Sequence, residues 1–187
     1  MGAGRLSNIV LGSAFCAGLI VSAPVWPQAG DESAALRAFA ERVDRYAHLR
    51  ARLAEPLAPS SPRRSSWSML LTRRYLASAI RSSRRTAVAG EVFTPAAAGV
   101  FRRRIAEAIY DVDVEGLDDR DREAAVDVVV NEPLPAWALD AVPGPIADRL
   151  PPLPAGLAYR LANGALVLWD LDAEIVVDVL PDVFAAR

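Results

Sequence analysis

The apolar periodicity of this chain changes once, at Leu157, and that change limits the folds open to it. Before it, apolar residues recur at spacings of three and four. From Leu157 they recur every second residue: Leu157, Tyr159 and Leu161 alternate with Ala158, Arg160 and Ala162. Asn163-Gly164 follows, the strongest short hairpin marker, because a type I′ turn needs positive φ at both central residues. Ala165–Trp169 is the expected return strand, Asp170–Ala173 the next turn, and Glu174–Leu180 a third strand rich in Ile and Val. Helices first and strands last predict an α+β fold. The expectation is about four helices followed by a C-terminal three-stranded antiparallel meander. A three-stranded sheet with an apolar face needs cover, which the helices would supply.

The helical part is expected over residues 31–130. Leu36, Phe39, Val43, Tyr46, Leu49 and Leu53 form one stripe of a first helix, Ala34–Ala54, with Asp31 and Glu32 at its start, Ser33 as cap and Pro56 after it. A Pro/Ser linker follows at Leu57–Pro62. A second helix is expected from Ser65 to about Ala87, and a third from Thr94-Pro95, a cap and a proline at the first helical position, to about Tyr110. A fourth is expected over Asp119–Val129. Residues 131–156 hold seven of the fourteen prolines. They predict an irregular connection packed on the helices, with a short helix at Ile146–Leu150. The meander would occupy residues 157–181.

The N-terminus has another character. Arg5 precedes an uncharged apolar run, Ile9–Val21, in the order of a secretory signal. A bilayer span needs about 20 apolar residues, so this shorter run predicts an export signal within residues 1–30. Residues 31–187 would then be one exported, periplasmic or extracellular, domain. Phe15 before Cys16 argues against lipidation. Cys16 is the sole cysteine, so the domain itself would carry no disulfide.

Charge is unevenly laid out. The chain has no lysine, and its net charge is −2. Residues 31–104 hold fifteen arginines against six acids, a net of +9; residues 105–187 hold five against seventeen, a net of −12. No acid lies between Leu57 and Gly90. The second helix therefore offers Arg73, Arg74, Arg81, Arg84 and Arg85 as candidate contacts for an anionic envelope surface or a partner protein. Nucleic acid is not an expected partner for an exported chain. The plainer account is that the two halves neutralise each other within the fold.

Catalytic motifs are missing. No serine sits in a Gly-x-Ser-x-Gly setting, and no nucleophile–base pair can be assembled. His48, the one histidine, has no metal-ligating neighbour in sequence and is expected on the surface. No P-loop or dinucleotide fingerprint occurs, and no cofactor is expected. Asp111-Val-Asp-Val-Glu-Gly116 opens like a calcium loop but has Arg122 where the bidentate acid belongs. Asp170, Asp172, Glu174 and Asp178 cluster near the last turn. Residues two apart on a strand share a face, so these acids are the candidate cation site.

Several segments carry a family resemblance: Phe39-Ala-Glu-Arg-Val-Asp-Arg-Tyr46, Gly90-Glu-Val-Phe-Thr-Pro95, Leu150-Pro-Pro-Leu-Pro154, Leu166-Val-Leu-Trp-Asp170 and Ile175-Val-Val-Asp178. Together they resemble a family of uncharacterised exported bacterial proteins, single domains behind a signal peptide with no assigned activity. The last thirty residues are also similar to the C-terminal hairpin of periplasmic nickel/cobalt-homeostasis proteins. The first resemblance implies export and a single domain; the second implies metal binding. The leading expectation is a non-enzymatic binding or interaction domain of the periplasm or envelope. The alternative is a periplasmic metal-binding domain using the C-terminal acids.

Overall fold

The computed structural model of the chain describes residues 29–57, 65–109 and 126–184. Residues 1–28 of the expected export signal, its apolar run included, fall outside them, as do the calcium-like opening Asp111–Gly116 and Arg63 and Arg64. Among the described residues, no helix is long and apolar enough to cross a membrane.

α1 runs Ala29–Ala54 and closes in a 3-10 turn, Glu55–Leu57, at Pro56. It begins five residues earlier than its stripe predicts. Ser33 lies inside the helix rather than capping it, and Glu32 explains the extra turn. Its carboxylate accepts from Arg103 and, at 3.1 Å, from Arg104 Nε, both on α3. α2 spans Ser66–Ser83, and the Ser65 hydroxyl accepts from Ser68 N as its cap. α3 spans Pro95–Ala108, capped by Thr94 with proline at its first position. The described end of the expected fourth helix, residues 126–129, is not helical. α4 is a single turn, Gly144–Ala147.

The sheet has four strands, not the three expected: β1 Asp140–Ala141, β2 Leu157–Ala162, β3 Ala165–Asp170 and β4 Ile175–Leu180. They lie in the order β1-β2-β3-β4, all antiparallel. β1 pairs Asp140 with Leu161 and is too short to carry a period of its own. The Asn163-Gly164 turn has φ of 48° and 71°, the left-handed pair a type I′ turn requires.

Both faces of the sheet are covered. Leu166, Leu168, Ile175 and Val177 pack with Phe39, Ile80, Phe101 and Ile105 of the helices. Phe39, Phe93 and Phe101 cluster with centroids 4.8–5.6 Å apart, Phe39 stacked on Phe93 and Phe101 set edge-on to Phe93. On the other face Val167, Trp169 and Val176 pack with Leu134 and the valines 126, 128 and 130. The first part of the proline-rich connection therefore covers the sheet's far side rather than the helices. This explains why β3 and β4 are buried at every position. Each fully buried large apolar side chain contributes about 1.5–3 kcal/mol, so this two-sided burial dominates the stability.

Between Leu168 and Trp169 the β3–β4 register slips: Asp178 lies opposite Leu168, yet Val176 lies opposite Trp169. Val177 is the extra residue of a β-bulge. Alternation would send Asp178 to the far face. The bulge instead turns Val177 and Asp178 to the helical side together.

Candidate functional site

The four candidate acids do not converge. Residues 171–174 form a turn, so the strand spacing of two does not extend past Asp170. Asp172 and Glu174 are exposed and diverge: Asp172 pairs with Arg50, and Glu174 pairs with Arg73 at 2.6 Å. Among the described residues, no three His, Cys, Asp or Glu side chains are placed to hold a metal ion.

Asp170 and Asp178 are wholly buried, each inside a shell of donors. Asp170 Oδ2 accepts from the Tyr46 hydroxyl at 2.8 Å and faces Arg50 Nε at 3.0 Å. Its Oδ1 accepts from the N–H groups of Asp172 and Ala173, both at 2.9 Å. The buried carboxylate thus ties the β3–β4 turn to α1. Gly156, at φ +85°, sits against the Arg50 guanidinium, where any Cβ would collide with it. Burial, and then the Asp170 charge, push the Tyr46 hydroxyl well above the usual tyrosine range.

Asp178 accepts four N–H groups: Gly90 and Val179 on Oδ1 at 2.8 and 2.9 Å, Val92 and Phe93 on Oδ2 at 2.6 and 2.7 Å. Three of these donors belong to the tight segment that leads into α3. The carboxylate does for that segment what a cap does for a helix. Sequence spacing offers both aspartates as candidate cation ligands, not as buried acceptors of N–H and O–H groups. A usable clue was present: an acid inside an apolar run with no polar alternation, Ile175–Leu180, belongs to a strand buried on both faces, where it must be partnered.

The arginine candidates separate into three groups. Arg84 ends α2 and turns inward. Its Nη1 donates to Asn131 Oδ1 at 3.1 Å, both terminal nitrogens donate to the Val177 carbonyl at the bulge, and Nη2 donates to Glu91 Oε2 at 2.8 Å. Its guanidinium also lies 5.1 Å from the centre of the Tyr46 ring. Asn131 donates back to the Arg84 carbonyl at 2.8 Å. Arg73 is committed to Glu174, and the buried Arg81 Nε has no hydrogen-bond partner among the described residues. Arg74 and Arg85 remain exposed and unpaired among the described residues.

Among the described residues, three ion pairs, Arg50 with Asp170 and Asp172 and Arg73 with Glu174, join the basic half of the chain to its acidic half. The bipolar charge layout is thus partly neutralised inside the fold. His48 is exposed, and its Nδ1 lies 2.8 Å from the Asp44 carbonyl.

What α2 leaves outward is a mixed apolar and basic surface. Trp67 and Tyr75 are 64% and 62% exposed, with Met69 and Leu70 beside them. Its buried residues are Leu76, Ala77 and Ile80, so the first two turns project past the core. Compared with protein-family models, curated proteins and solved structures, the chain matches none. Function has to be argued from these surfaces.

Proposed function

We propose that this protein is an exported, non-enzymatic binding domain that rests on an anionic envelope surface through the outer face of α2. The observation that carries the reading is that face and the turn after it: exposed Trp67, Arg74 and Tyr75 on α2, exposed Arg85 just beyond its end, neither arginine paired among the described residues, and no acid from Leu57 to Gly90. Amphipathic rings favour the headgroup layer, and guanidinium groups bind phosphate oxygens in pairs. The Arg5-led apolar run Ile9–Val21 and the motif resemblance support export. Metal binding at Asp170, Asp172, Glu174 and Asp178 has less support, since the two buried carboxylates already accept N–H and O–H bonds on both oxygens.

Vesicle co-sedimentation tests the reading. The protein is expected to bind phosphatidylglycerol vesicles, to leave them at raised salt, and to ignore phosphatidylcholine. Each basic residue near such a surface contributes about 1 kcal/mol, so Arg74→Gln with Arg85→Gln should weaken binding about 30-fold. Because the apolar N-terminal run is unchanged in that variant, the difference isolates α2. Equal binding by wild type and variant would overturn the reading.

A further inference from the structure

A cleft lies between α1 and the turn before α3, with Arg84 at the end of α2 in its lining. Arg42, Arg45, Tyr46 and Leu49, spaced i, i+3, i+4 and i+7, form its α1 wall; Arg84, Glu91 and Val92 form the other. Its volume is about 210 Å³, far above the ~10–15 Å³ that one water requires. Three guanidinium groups meet one carboxylate there.

Glu91 engages two of the three. Its Oε2 accepts from Arg84 Nη2 at 2.8 Å, and its backbone carbonyl accepts from Arg42 Nη1 at 3.0 Å. Arg45 has no partner among the described residues. The Glu91 side chain is 46% exposed, so its carboxylate sits at the lip of the cleft, free to swing into solvent. Arg84, by contrast, is held by Val177 and Asn131 from below, with its side chain 10% exposed.

We infer that this cleft binds a small oxyanion, a phosphate or carboxylate group, and that the Glu91 carboxylate is its tethered internal competitor. The entering anion takes the place of Oε2 on Arg84 and gains Arg45, which Glu91 leaves unused. Arg84 needs no ordering to receive it, because its fork is already fixed. Leu49 on one wall and Val92 on the other add apolar lining, which limits the water around the anion and strengthens its bonds.

Calorimetric titration of the full chain with inorganic phosphate and with citrate at low ionic strength tests this. Saturable one-site binding is expected. Glu91→Gln should tighten it several-fold, because the competing charge goes and the shape stays. Arg45→Gln should weaken it about tenfold or more without lowering the melting temperature, since Arg45 supports nothing else. Saturation by phosphate points to a free anion; binding only to phosphatidic acid vesicles points to a headgroup, the same chemistry on a lipid. Absence of saturable binding to any of these, or binding that Arg45→Gln leaves unchanged or Glu91→Gln weakens, would overturn the inference. The surface reading fails separately: the variant carrying Arg74→Gln and Arg85→Gln must keep phosphate binding. If it loses that binding while Arg45→Gln keeps it, the cleft is not the site.

Discussion

Tyr46 donates its hydroxyl hydrogen to Asp170 Oδ2 across 2.8 Å, joining residues 124 positions apart. The bond ties the first helix to the last hairpin, and Asp170 has no exposed surface through which water could replace it. Tyr46→Phe removes one donor from a buried carboxylate and is expected to cost about 1–3 kcal/mol at neutral pH.

The same pair sets the alkaline limit of stability. Burial and the Asp170 charge raise the Tyr46 pKa in the folded state above its unfolded value of about 10. The contribution is therefore fully present below that pH and fades as pH rises past it, because the unfolded chain ionises first. Urea unfolding followed from neutral to alkaline pH should show a steeper decline for wild type than for Tyr46→Phe. Some decline persists in the variant, since burial raises Tyr159 as well.

Asp178→Asn tests the other buried carboxylate. All four of its partners are backbone N–H groups, and none can turn into an acceptor. The amide NH₂ would face two of them directly. Leaving two buried donors unpaired costs about 1–3 kcal/mol each, so a loss of about 2–6 kcal/mol is expected in denaturant titration. A change below about 1 kcal/mol would mean that the segment from Gly90 to Phe93 holds its shape unaided.

These two aspartates show where the sequence was legible and where it was not. Asn163-Gly164, Ser65 and Thr94-Pro95 act locally, through φ preference and capping, and each marks its element correctly. The helical period sets Val100, Phe101, Ile105, Ala108 and Ile109 inward on α3; the first four are buried, while Ile109 is the C-cap and half-buried. β1 was not legible, because a two-residue strand exists only through its pairing with Leu161 and Arg160. Nor was the bulge at Val177, which depends on what Arg84 and the Gly90–Phe93 amides require across the core. Without the bulge, Asp178 would follow the alternation to the wrong face. Arg84 was hidden for a similar reason: within a basic run, nothing distinguishes the one arginine that turns inward.

Glu32 gives the acid counterpart of Tyr46. Its hydrogen bond from Arg104, with Arg103 alongside, holds its carboxyl below the usual carboxylate range. A lowered folded pKa contributes stability above the unfolded value, about 4.3, that is lost as pH falls through the folded one. The melting temperature should drop on acidification through that window, and less in Glu32→Gln. The Glu32 side chain is 29% exposed and its arginine partners are also partly open to solvent, so the difference between the two profiles should be small and should shrink as salt is added.

Arg84→Lys separates charge from geometry. An ammonium keeps the charge but cannot reach the Val177 carbonyl, Asn131 Oδ1 and Glu91 Oε2 in one plane, as the guanidinium does. It also forfeits the planar contact over the Tyr46 ring. The Val177 carbonyl, which accepts from both terminal nitrogens of Arg84, would keep at most one donor. A destabilisation of about 1–3 kcal/mol is expected for the bonds lost to that buried group. Hydrogen exchange would locate the damage: the β4 amides around Val177 and those of Gly90–Phe93 should lose protection first. Stability and protection equal to wild type in Arg84→Lys would mean that Arg84 acts by charge alone.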